Sequence, residues 1–182
     1  KSPKLAIGAA YSYNVGASNM VGEGHNDFQM YDKEGAADYP DYRKLSADLL
    51  FKWNGFSLLA EYVNATANGL NGLYVEKDEG AKLKPRQIAN YLALGNGLNV
   101  QAGYLFRKLW ALDVAYSKVN PEWKETGQSV LREADNITFG ASKYFNNNTF
   151  KLQLAGSYTS YNQLVGAGSK EFQVKLNLHI LF

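Results

Sequence analysis

The residues that could do chemistry are few and scattered. There are two histidines, His25 and His179, and no cysteine. Neither histidine has a second ligand at metal-binding spacing, and thiolate sites are excluded outright. Asp27, Asp32, Glu34, Asp38 and Asp41 crowd one stretch. They lack the fixed spacing and the glycine of a calcium loop, so no metal and no cofactor is expected. Gly95-Asn96-Gly97 and Gly166-Ala167-Gly168-Ser169-Lys170 lack the full phosphate-loop pattern and read as turns. No serine sits in a nucleophile elbow, and no catalytic group can be assembled. What remains is charge placed at every second position: Asp48, Lys52, Glu61, Asp113, Lys151, Lys175 and His179. Such residues can line a wet wall and bias which ions pass along it, a task that needs no enzyme.

Their spacing requires extended chain. From Phe172 onward, Phe172, Val174, Leu176, Leu178, Ile180 and Phe182 alternate with Gln173, Lys175, Asn177 and His179. Only a strand sorts that period onto two faces. The same alternation recurs near 4–14, 44–53, 56–64, 97–106, 109–118, 136–145, 149–158 and 171–182, which makes eight strands. Leu92 and Leu94 share the apolar parity of the fourth strand and extend it, unless 85–94 forms a short helix.

The connections alternate long and short. Asn54-Gly55, Arg107-Lys108 and Asn146-Asn147-Asn148 are tight turns, while polar stretches of very different length separate the other strands. Aromatic residues of the apolar parity gather at both strand ends. Trp53, Phe56, Phe106, Trp110, Phe145, Phe150 and Phe182 flank the short turns, and Tyr13, Tyr62, Tyr116, Tyr158 and Phe172 lie at the opposite ends. Two aromatic belts around an apolar band are what a strand crossing a bilayer shows, and a soluble sandwich has no use for them. The predicted fold is therefore all-β: a transmembrane antiparallel up-and-down β-barrel, in a single domain, in the bacterial outer membrane and in contact with its lipid.

Composition agrees. No stretch reaches the roughly 20 apolar residues of a spanning helix. Mean hydropathy is −0.35 although aromatics make up 14%, as expected when half of each strand is polar. A net charge of +2 gives no reason to expect nucleic acid. The absence of cysteine fits passage through an oxidising periplasm. The start, KSPKLAIG, has neither Met nor a signal sequence. It is read as following a removed signal peptide or an entire N-terminal half.

The stretch KEFQVKLNLHILF resembles the C-terminal signature of outer-membrane β-barrels, which the barrel-assembly machinery recognises. The resemblance assigns that role to Val174, Leu176, Leu178, Ile180 and Phe182. LSADLLFKWNGFSLLAEY, LNVQAGYLF and FKLQLAGSY are similar to hairpins of the phosphate-selective porin O and P family, from about Leu45 to Phe182. That resemblance implies a sixteen-stranded barrel, commonly a homotrimer, of which this chain is the C-terminal half. It implies passive diffusion of small hydrophilic solutes, with anions such as phosphate among them. The family's constriction loop and arginine ladder lie largely in the other half, so those residues are not carried over to this chain.

The alternative is a complete eight-stranded barrel serving as an anchor, adhesin or loop-mediated binding protein. A narrow barrel must be filled, yet about half of the inward positions are small, among them Gly8, Ala10, Ser46, Gly103, Ala115, Gly140 and Ala155. That favours the wide pore. Within its lining, Asp48, Lys52 and Glu61 are expected to neutralise one another on one hairpin. Lys151 and Lys175, on neighbouring strands, are the candidates for drawing an anion.

Overall fold

The computed structural model describes residues 2–17, 30–74, 82–88, 92–107, 109–123, 131–145, 150–162 and 169–180. Phe182, His25, Asp27, the Asn146–Asn148 run and Gly166–Gly168 lie outside the described residues. The strands are β1 (Lys4–Asn14), β2 (Asp41–Trp53), β3 (Phe56–Asn68), β4 (Gly95–Phe106), β5 (Trp110–Pro121), β6 (Ala134–Phe145), β7 (Phe150–Tyr161) and β8 (Ser169–Ile180), with a four-residue helix α1 (Pro85–Ile88) before β4. All eight strands form one sheet in sequence order, every neighbour antiparallel. Among the described residues β1 pairs only with β2 and β8 only with β7, so the sheet is open at both edges.

Strands β2 to β7 run two to four residues further into the long connections than the apolar alternation reaches. There the backbone ladder continues while both faces turn polar, as at Asp41-Tyr42-Arg43. The hydrophobic period reports only where one face must avoid water.

Register sorts the side chains. One row across the sheet reads Leu5, Phe51, Leu58, Ala102, Val114, Phe139, Gly156 and Val174. A row of the other parity reads Gly8, Asp48, Glu61, Asn99, Ser117, Asn136, Thr159 and Glu171. The apolar rows are not a core. Ile7 is 71% exposed, Phe139 60% and Leu176 68%, an apolar surface far larger than scattered single residues explain.

The turn between β2 and β3 holds the register. Asn54 and Gly55 both have positive φ, 46° and 91°, the pairing that a two-residue hairpin twisted with its strands needs. Gly55 has a second reason. A Cβ there would stand 2.8 Å from the Leu105 carbonyl oxygen, while the Gly55 carbonyl accepts the Leu105 N–H at 2.8 Å.

The packed core lies elsewhere, in the long connections. Met30, Leu73, Leu83, Ile88, Leu92 and Leu94 bury one another, and Tyr39, Tyr42, Ala67, Leu70 and Trp123 pack around them. Reciprocal backbone bonds between Tyr31 and Tyr74 (2.9 and 2.8 Å) join the β1–β2 connection to the β3–β4 connection. Leu92 and Leu94, expected on the apolar face of β4, are instead 8% and 1% exposed within this loop core. They precede the strand, whose pairing begins at Gly95, a residue at φ 142°.

Candidate functional site

The polar parity is the concave side of the sheet. A cavity of about 580 Å³ at the short-turn end is lined by side chains contributed from β1 through β7. Lys4, Lys52 and Lys151 reach it, together with Gln101, Asp113, Tyr144 and Gln153. Three lysines thus face one aspartate. Lys4 and Lys52 lie directly opposite one another in register. Like charges so placed repel, and are tolerated where water or an anion screens them.

Among the described residues no salt bridge joins the acidic residues of this face to its lysines. The Asn99 amide donates to a Glu61 carboxylate oxygen at 2.9 Å. Asp48 lies across Gly8, and Asp113 across Gly103, so closely that a Cβ on either glycine would collide with the carboxylate. The small residues of this wall therefore make room for neighbouring side chains, in addition to leaving open space. Among the described residues no direct ion pair joins Lys52 to Asp48 or Glu61. Along β2, Asp48 and Lys52 are four residues apart, roughly 13 Å at strand rise.

Lys151 and Lys175 do not form a pair either. Lys151 stands opposite His179, while Lys175 stands opposite Ala155 in the row that contains Asp113 and Gly140. The partner that Lys151 has is a ring, with Nζ 5.5 Å from the centre of Tyr144. Its fellow cations are Lys52 and a residue that sequence reading passed over, Lys4. The signal was present: Lys4 has the parity of Ala6 and Gly8, at the end of β1 where the short turns lie.

The opposite end of the concave face is covered. Tyr42, Ala65 and Ala67 belong to the polar parity, and the loop core rests on Tyr42 and Ala67 while Ala65 is 6% exposed. The Tyr42 hydroxyl donates to the Ala93 carbonyl at 3.0 Å. Where the chain leaves β5 beside this core, the Glu122 N–H donates to the Leu94 carbonyl at 2.9 Å, and desolvation raises the Glu122 carboxyl above its ordinary value. Two acidic residues of this end, Asp32 and Asp41, are engaged locally. Asp32 Oδ1 accepts the N–H groups of Glu34 and Ala36 (3.0 and 2.8 Å), and Asp41 accepts the Tyr13 hydroxyl at 2.5 Å and the Gly16 N–H at 3.2 Å.

Val174, Leu176, Leu178 and Ile180 lie on the apolar face of the edge strand β8, each more than half exposed. Comparison with protein-family models, with curated proteins and with solved structures finds no match to this chain.

Proposed function

We propose that this chain forms part of the wall of a water-filled outer-membrane channel, a porin through which small hydrophilic solutes, anions among them, diffuse passively. The observation that carries the reading is the sorting of the sheet into an exposed apolar face bounded by aromatic residues and a concave polar face lined by charge. Open edges at β1 and β8 support a larger barrel, since a sheet edge in hydrocarbon leaves peptide groups unpaired. The resemblance to the porin O and P family gives the form of that barrel: sixteen strands and a homotrimer, delivered by the barrel-assembly machinery.

On this reading the lysines at the short-turn mouth concentrate anions, and the loop core narrows the opposite mouth. The second reading is a complete eight-stranded barrel that binds partners through its loops. The folded loop core favours it, because rigid loops make a binding surface.

Planar-bilayer recording on the native full-length protein separates the two. Stepwise conductance that scales with KCl concentration is expected of the channel. Insertion without steps, together with a native intact mass near 20.2 kDa, would sink it in favour of the small barrel. Leu73→Ala tests the mouth, since it empties part of the loop core at a fully buried site and is expected to cost that core ~2–5 kcal/mol. Faster proteolysis of the loops and a larger unit conductance should follow. Loosened loops with unchanged conductance would place them outside the solute path.

A further inference from the structure

Charge appears on the apolar face at both strand ends, under different conditions. At the long-loop end two cations have partners inside the protein: Arg43 stands over the Tyr13 ring at 5.3 Å beside Asp41, and Lys118 reaches Asp135 at 3.6 Å. Lys170 lies beyond Phe172 near the start of β8, where water reaches it. At the short-turn end the strands place one charged residue on this face among the described residues, Lys143. Its register partner is Trp110, and its Nζ lies 4.2 Å from the Trp110 ring centre and 5.8 Å from that of Phe145.

No carboxylate pairs with Lys143 among the described residues. A ring face balances part of a cation's charge, and it offers the three N–H donors no lone pair of the kind oxygen supplies. The lysine stem can lie along apolar surface with its amine at the rim, where a lysine on such a face finds polar partners. On either side of this amine the face is apolar and open: Leu112 is 54% exposed and Leu152 38%.

We propose that Lys143, with Trp110 and Phe145, binds the phosphate of an anionic glycerophospholipid at the short-turn rim. The inference rests on the membrane reading above and adds a defined site to it. The phosphodiester supplies both the negative charge and the acceptor oxygens that the aromatic pair lacks. Leu112 and Leu152 supply surface for acyl chains, which a free anion could not use.

The test is native mass spectrometry of the full-length protein in detergent, for wild type, Lys143→Gln and Lys143→Arg. Each is titrated with phosphatidylglycerol, phosphatidylcholine or inorganic phosphate. Wild type is expected to retain one more phosphatidylglycerol than Lys143→Gln, whose affinity falls about fivefold, the worth of one basic side chain at an anionic surface. Lys143→Arg keeps the charge and should keep the lipid, which separates loss of the site from loss of the fold. Equal retention of phosphatidylglycerol by wild type and Lys143→Gln overturns the proposal, and so does displacement of the lipid by equimolar inorganic phosphate. Flotation of wild type with vesicles of phosphatidylcholine and phosphatidylglycerol is the separate arm. Failure to float removes the membrane reading itself, whereas flotation with equal lipid retention removes only the site.

Discussion

Val114→Arg is expected to destabilise the folded protein in lipid vesicles by ~2–4 kcal/mol, while Ala115→Arg, one residue along the same strand, changes stability by no more than ~0.5 kcal/mol. Val114 lies in the apolar row between Ala102 and Phe139, on β5 between the ring residues Trp110 and Tyr116. It is already 39% exposed. If the face it occupies met water, an arginine there would be an ordinary surface substitution. If it meets hydrocarbon, the guanidinium enters the apolar band between the two aromatic belts, where a charge on the lipid face is costly. Ala115 points to the concave side, opposite Gln101 and Thr138, where water solvates a new charge. Urea titrations of the two variants, followed by the fraction that keeps folded mobility on unheated gels, give the comparison. Equal losses would mean that neither face contacts lipid, and the channel reading would fall with them.

How much of this was legible follows from what each signal is made of. The strands were legible because a face that avoids water imposes a period of two on every residue that touches it, and the hairpin at Asn54-Gly55 because positive φ restricts the residue types allowed. The outer reaches of the strands were not, since ladder bonds at Asp41–Arg43 need no particular side chain. The loop core was missed for a different reason. Met30, Leu73, Leu83 and Ile88 are isolated apolar residues in polar stretches, and their meeting depends on two separate connections folding together, which no local period records. Within the site, parity gave the side of the sheet for each charge but not its partner. Partnership depends on register: Glu61 opposite Asn99 gives a hydrogen bond, and Lys4 opposite Lys52 gives a repulsion. Register is fixed by turn lengths summed across the sheet, so an error at one connection moves every later row.

That repulsion is the basis for the second large effect. If the chain lines a channel as proposed, Lys4→Glu, Lys52→Glu and Lys151→Glu combined are expected to shift its preference from anions to cations, with the chloride-to-potassium permeability ratio falling on the order of tenfold. The three amines face one cavity of about 580 Å³ with Asp113 as the one carboxylate in its lining among the described residues, so an ion crossing that mouth meets a net positive wall. Because the cavity is wet, the field is screened over ~10 Å at 0.1 M salt and ~3 Å at 1 M. Reversal potentials under a KCl gradient should therefore change sign in the variant at low salt and converge with wild type at high salt. Asp113→Asn should move the ratio the other way, by less, since it removes one charge where the triple variant reverses three. Lys175→Gln should do less again: Lys175 stands opposite Ala155 on an edge strand, outside the cavity lining. A triple variant that inserts, conducts and reverses at the wild-type potential would show that solutes do not pass this mouth, and selectivity would then belong to the loop core.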